Sequence, residues 1–479
     1  MTSKGIRIYD LARRFAVPSR DILDMLRQKG LEVASHMSSI DAATADLLLE
    51  IFQTKRKTDP NHSNSKSIVN ALFDSAQRDG HGERSRAMND LGLLNTFTQM
   101  SISGYRRLLS VKNLEMRALT VMIGANGIGK TSFLEVFALL AASARGELQN
   151  ALSKLGGASL IVTRNRAENV TFNVSMAVID HKPLDYMLTL NLQGAAYEIG
   201  WETLTQEHPG HVQPFKYIES QGLNIKYWNI EGRKLVRPTW EHSPFETSLA
   251  QVPKMYRAPE IFRKHLGSCT YYSAHALNVG YNSPIRLPQA MQPVQHPGNN
   301  GENLAPYLYY LRETHPDRFE LIEDTLAVAF RGFEQLNFPP VAAGTLTMTW
   351  KDANFSQPLY LNQLSEGILR FLWLIALLYS PHLTAVTLLD EPEVSLHPEL
   401  LNVLGYALRD ASKATQLIVA THSERLIGFL QPAEVLVLDS EDGFTTMTWA
   451  DTPTFDLERW LQDYTLDELW RMGRIGGRS

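Results

Sequence analysis

The chain has 479 residues, of which 44% are hydrophobic and 20% charged, enough apolar material for a large core spread over two or three domains. A formal net charge of -5 excludes a general polybasic coat for nucleic acid and leaves room only for a local basic face. The strongest apolar run, residues 371–379, is too short for the roughly 20 residues that span a bilayer, the opening residues lack a secretory apolar segment, and the single cysteine, Cys269, has no partner within the chain, so a cytoplasmic protein with no membrane association and a packed thiol is expected.

Residues 1–53 read as a small helical domain. Ser19 followed by Ile22, Leu23 and Leu26 predicts a capped amphipathic helix that ends before Gly30. Arg13, Arg14, Arg20, Arg27 and Lys29 fall on or near two successive helices, as either a basic docking face or an ordinary solvated surface. Residues 54–95 include KRKTDPNHSNSK and QRDGHGERSR and hold few large apolar side chains outside 68–73, the composition of a flexible linker.

The third region, 96–479, opens with an apolar strand at 119–123, a glycine-rich loop, and helical spacing over 132–140. Gly124-Ala125-Asn126-Gly127-Ile128-Gly129-Lys130-Thr131 fits the phosphate-loop pattern GxxxxGK(S/T) in its required setting between strand and helix. Glycines let the backbone N–H groups turn inward around phosphates, and the helix N-terminus adds positive potential. Lys130 is then expected to reach the β and γ phosphates of ATP and Thr131 to ligate Mg²⁺, with Ser132 completing the nucleotide-contacting run.

Residues 150–355 read as an inserted mixed α/β lobe. Strand-like alternation covers 215–230 and, past a turn at Gly232, 234–236, while helical patterns cover 304–311 and 319–333. Sustained heptads are lacking, which excludes a long coiled coil. Leu364-Ser365-Glu366-Gly367 then precedes a helix, and its serine hydroxyl and terminal amides suit a γ-phosphate. The apolar strand at 385–389 ends in two carboxylates, Asp390 to hold Mg²⁺ or its water shell and Glu391 to polarise an attacking water. Another apolar strand, 417–420, runs into Thr421-His422-Ser423 and sets His422 at a strand's C-terminal edge, the place for a γ-phosphate sensor.

In this order the residues resemble the ABC ATPase head, in the branch that includes RecF, Rad50, SMC proteins and the overcoming-lysogenization-defect ATPases. GANGIGKT resembles the Walker A motif, LSEG the signature, TLLDEPE the Walker B motif, Ser395-Leu396-His397-Pro398 the D-loop and THS the switch histidine. FTQMSISGYRRL is similar to the branch's first strand with its arginine after an aromatic, here Arg106 or Arg107. The resemblance implies an α/β fold with an ABC-type P-loop NTPase head, ATP and Mg²⁺ as cofactors, and hydrolysis to ADP and phosphate. Glu391, His422 and Lys130 are the implied catalytic residues, and 124–132, Ser365, Glu366, Gly367 and Ser395 the implied nucleotide contacts. Family behaviour further implies a homodimer or higher homo-oligomer in which Ser365 of one subunit completes the other's site. One motif is not placed: nothing at 162–175 supplies the Q-loop glutamine.

Residues 299–304 and the ending LDELWRMGRIGGRS are similar to a bacterial subgroup of predicted ATPases. Residues 1–53 resemble the N-terminal domain of bacterial translation initiation factor two, which points to an RNA- or ribosome-linked partner. Relatives of the head act in DNA repair and antiphage defence, and the compact insertion looks like the defence ATPases of systems such as Septu, which work with a separate effector. The expectation is an ATP-driven switch in antiphage defence that controls a separately encoded effector, a nuclease by analogy, with RNA or DNA as its target. A translation- or RNA-associated binding module and a RecF-like repair ATPase are the alternatives. A self-contained nuclease is disfavoured, because only about 57 residues follow His422, too few for an appended nuclease domain.

Overall fold

The computed structural model describes residues 95–475 except 180, 194–195, 208–212, 223, 343, 456 and 462–463, together with two short strands near the N-terminus. The chain divides into two compact units, Met1–Arg86 and Ala87–Ser479. In the first, Ile6–Arg7 pairs antiparallel with Ser39–Ile40. The helix expected after Ser19, the five basic residues and the linker up to residue 94 lie outside the described residues.

The second unit is built on a six-stranded sheet whose order is Cys269–Ser273, Val386–Asp390, Gln416–Ala420, Leu119–Ile123, Val435–Glu441 and Phe444–Trp449. The first five run parallel and the last returns antiparallel. Three central strands, LTVMI, VTLLD and QLIVA, are buried at every position, as strands covered on both faces must be. Register aligns their ends: Ser273 stands opposite Asp390 and Asp390 opposite Ala420, and Ala420 pairs with Met122, one residue before the strand that feeds the glycine loop ends. Residues distant in sequence thus emerge along one edge, where open α/β sheets carry their sites.

Helix Lys130–Arg145 leaves that edge and buries Phe133, Phe137 and Leu140 in a core shared by the parallel sheet and a second, eight-stranded antiparallel one. The latter runs from Lys234–Val236 through Ala196–Gln206, His181–Gln193 and Asn169–Val178 to Thr96–Tyr105 and Leu108–Glu115. Alternating burial along Asn169–Val178 is the mark of a sheet with one face on the core. Gln416 joins the layers: its Nε2 donates to the carbonyl of Phe97 (2.7 Å) and its Oε1 accepts the Phe97 amide (2.8 Å).

The residues read as an insertion are therefore shared out. Those of 169–236 extend the antiparallel sheet, and helix Arg257–Gly267 leads into the edge strand Cys269–Ser273 of the parallel one. Helices Leu304–Thr314 and Pro316–Ala329 follow. The helical pattern expected to reach residue 333 stops at Ala329, and Phe333 opens strand Phe333–Asn337. The chain leaves the helix at Phe330, whose backbone is extended (φ -128°, ψ 106°), and then turns at Gly332, with a left-handed φ of 103° and side chains of Asn354 and Asp352 where a Cβ would stand.

Helix Glu366–Leu378 buries Phe371 through Leu378 and ends before Ser380-Pro381. Cys269 is half-buried, and burial raises its thiol pKa to about 12, as expected of a packed thiol. Among the described residues no helix is long and apolar enough to cross a membrane.

Candidate functional site

The glycine loop leaves strand Leu119–Ile123 and turns through Gly127 and Gly129, at φ of 70° and 118°, values that a side chain resists. Space beside Gly127 is open, whereas the Thr445 hydroxyl packs at Gly129 and donates to the carbonyl of Ile128, pinning the loop to the last hairpin. Lys130 begins the helix and is buried. Its Nζ donates to the carbonyls of Gly124 (2.6 Å) and Ala125 (3.0 Å) and lies 3.3 Å from His422 Nδ1. Burial lowers the ammonium pKa to about 8, against the opposing pull of Glu391.

Strand Val386–Asp390 delivers both carboxylates. Asp390 is 8% exposed and accepts from the Tyr271 hydroxyl at 2.7 Å; Thr131 also hydrogen-bonds it. Burial raises its pKa, because the anion is taken out of water. Glu391 takes a left-handed φ of 52°, uncommon for a residue with a side chain, and its amide donates to the carbonyl of Ala420 (2.8 Å). Its carboxylate stands between two imidazoles, His422 Nε2 at 3.3 Å and His275 Nε2 at 2.9 Å.

Burial, then the nearby Lys130 charge, pushes His422 below the usual histidine range. The partners assign its tautomer. Lys130 only donates, so Nδ1 is the acceptor and the ring proton sits on Nε2, facing Glu391. Lys130, Thr131, Asp390, Glu391 and His422 thus converge. In chemical terms the Lys130 ammonium could seat an anion, the Thr131 hydroxyl and Asp390 carboxylate are hard oxygen donors of the kind Mg²⁺ takes, and the Glu391 carboxylate, flanked by two imidazoles, could take a proton.

Ser365, Glu366, Gly367 and Ser395 form a separate group. The Ser365 hydroxyl accepts the amide of Ile368 (3.3 Å) and so caps its own helix. Glu366 Oε1 accepts from Arg370 Nε (2.8 Å) and Ser395 Oγ (2.9 Å), and a Cβ on Gly367 would come 2.9 Å from the Ser395 carbonyl. Among the described residues the hydrogen bonds of this group do not run to residues 124–131.

Of the two candidate arginines, Arg106 is turned inward and pairs with Glu135 on the loop helix, while Arg107 is exposed. Glu135 was not legible as a site residue, nor were Tyr271, His275 and Glu393. The first three are brought in by strand pairing across more than a hundred residues or by a half-buried ion pair, for which the sequence carries no signal. Glu393 was visible only as the third acid of DEPE. The stretch searched for a Q-loop glutamine does not border the carboxylates: its residues 169–175 belong to the antiparallel sheet, and the strand beside the carboxylates is Cys269–Ser273.

Residues 3–55 match the family described as Translation initiation factor IF-2, N-terminal region. Relatives there include Translation initiation factor IF-2 of Alkaliphilus oremlandii, 41% identical over 58 residues, and of Pseudothermotoga lettingae, 43% over 53. Each match covers 8% of the relative and 12% and 11% of this chain, so the chain spans a small part of those proteins. Similar solved structures include an Smc head bound to the C-winged helix domain of ScpA, 12% identical over 74% of this chain and 97% of that one, TM-score 0.45. The SMC head domain from Thermotoga maritima is also 12% identical, over 74% of this chain and 100% of that one, TM-score 0.39. Residues 119–428, from the loop strand past His422, match the family described as AAA domain, putative AbiEii toxin, Type IV TA system, and the chain belongs to that family.

Proposed function

We propose that the protein binds ATP with its phosphates in the loop 124–131 and hydrolyses the β–γ bond, and that two copies close around two nucleotides. The observation that carries this reading is the Lys130–His422–Glu391 chain, which joins the anion seat, a neutral imidazole and a poised carboxylate at one strand edge. On binding, Lys130 exchanges the Gly124 and Ala125 carbonyls for β- and γ-phosphate oxygens. Glu391 orients water in line with the γ-phosphorus and receives its proton, while His422 Nε2–H donates to a γ-oxygen. When bound, Mg²⁺ would be held by Thr131 and Asp390 and would neutralise phosphate charge.

Among the described residues the Ser365 hydroxyl is bonded only to its own helix and Ser395 only to Glu366, neither to the phosphate loop, which suits a role at the nucleotide of the partner copy. Closure then changes the surface offered to a separately encoded effector, a nuclease in our reading, with antiphage defence as the setting; the family's description as a putative toxin supports a defence or toxin–antitoxin role. A second reading, an RNA- or translation-associated module, is favoured by the match of residues 3–55.

The test is Glu391→Gln. It should retain ATP in equilibrium binding and trap a closed dimer, with turnover lower by about 10²-fold. Wild-type turnover in that variant would remove Glu391 from the mechanism. Absence of ATP binding by the wild-type protein would remove the reading as a whole.

A further inference from the structure

Glu393 follows the two carboxylates by only a few residues, yet it faces a different strand. Its Oε1 accepts three hydrogen bonds from consecutive residues at the end of strand Gln416–Ala420: the Thr421 hydroxyl (2.6 Å), the His422 amide (2.8 Å) and the Ser423 amide (3.1 Å). The hydroxyl of Thr421 also accepts the Ser423 amide at 3.0 Å, which closes a small ring around one oxygen. The other oxygen, Oε2, is buried with no hydrogen-bond partner. A carboxylate held at one oxygen by three donors while the second goes without is spent on fixing those donors, since it gains nothing from its own solvation.

What it fixes is the backbone of His422. The imidazole hangs from that backbone and touches Lys130 on one nitrogen and Glu391 on the other. Strand Gln416–Ala420 is buried throughout, and its last backbone bond to a neighbouring strand runs from the Thr421 amide to the Met122 carbonyl (3.1 Å), so the backbone of His422 and Ser423 lies beyond the sheet ladder. Glu393 supplies three bonds at that point.

We propose that Glu393 is a positioning residue: it clamps Thr421–Ser423 so that the His422 ring sits between Lys130 and Glu391, and it acts on ATP turnover through His422 alone. This rests on the ATPase reading above. The clamp uses acceptor geometry, so a glutamine, whose amide oxygen can take the same three donors, should keep it, and an alanine or the shorter aspartate should not.

The experiment is steady-state ATP turnover by the full-length chain for wild type, Glu393→Gln, Glu393→Asp, Glu393→Ala, His422→Ala and the His422→Ala/Glu393→Ala double variant. Glu393→Ala and Glu393→Asp should lower kcat by about 10- to 100-fold, the scale of a small misplacement of a reacting group, with KM for ATP within about twofold of wild type. Glu393→Gln should keep at least about a third of wild-type kcat. The double variant should be no slower than His422→Ala, because the clamp has nothing left to hold. Were Glu393→Ala to fail to fold, the Gln and Asp pair would carry the same contrast.

Multiplicative losses in the double variant, a slow Glu393→Gln with normal KM, or wild-type kcat in Glu393→Ala and Glu393→Asp would each overturn the clamp and leave the ATPase reading standing. Absence of turnover in the wild type would sink both.

Discussion

Lys130 is the residue whose environment most directly sets a measurable pH dependence. Burial brings its ammonium down to about 8 in the free protein, so it is mostly charged at neutral pH and loses its proton as pH rises past that value. Phosphate oxygens in the loop would raise that pKa again, because they favour the charged form. Binding above pH 8 must then take up one proton, and the apparent Kd for ATP should rise with pH, approaching about tenfold per unit. Titration with a fluorescent ATP analogue between pH 7 and 9.5 checks this. A flat profile would show that Lys130 does not carry the phosphate contact. Lys130→Ala should lose binding at every pH, whereas Glu391→Gln should lose turnover only, since one group acts on the nucleotide and the other on water.

Elements show where local pattern and packing part company. Three of the parallel strands, Leu119–Ile123, Val386–Asp390 and Gln416–Ala420, were readable because burial on both faces demands unbroken apolar runs, and the helix after the loop because glycine, lysine and apolar spacing follow in order; the parallel strands Cys269–Ser273 and Val435–Glu441 were not read. Helix Pro316–Ala329 was read four residues too long, since Phe330 and Phe333 continue its spacing although the backbone turns extended at Phe330. Gly332→Ala should destabilise the fold by about 1–2 kcal/mol from the left-handed φ, more if Asn354 and Asp352 cannot give way. Gln416 offers a sharper test of how the two sheets are joined. Gln416→Leu would leave the buried amide and carbonyl of Phe97 unpaired, a cost of about 3 kcal/mol, seen as a lower urea midpoint. An unchanged midpoint would mean that the layers are held by apolar packing alone.

At the scale of the whole molecule, the two groups of site residues give the proposed dimer its test. Ser365→Arg should spare ATP binding by single subunits and block closure, because a bulky cation would enter the partner's γ-phosphate site; light scattering with ATP reads the outcome. In a heterodimer of Ser365→Arg with Lys130→Ala, both lesions share one site if assembly is in trans, so about half of the turnover survives. Loss of all turnover would mean that each chain completes its own site. Deleting residues 1–53 should leave hydrolysis within about twofold while removing the biological output, since the match to Translation initiation factor IF-2 lies wholly outside the family's stretch of 119–428. Loss of ATPase activity on that deletion would overturn this division of labour.

Read alone, the sequence determined the loop, its helix, the two acidic and histidine-bearing strand ends, and the α/β class. Each of these is written in contiguous residues whose spacing follows backbone period, and glycine, lysine and carboxylate have few other reasons to occur in that order. A change of composition also led to the expectation of a break between residues 1–53 and the rest, whereas the compact units divide at Arg86 and Ala87. Tertiary structure alone decided that Tyr271 and His275, from a strand more than a hundred residues before the carboxylates, complete their surroundings, that Arg106 and not Arg107 turns inward, and that Glu393 grips the switch strand. Such contacts depend on which strands become neighbours and in what register, and a parallel sheet assembles neighbours through long crossovers that leave no local mark in the chain.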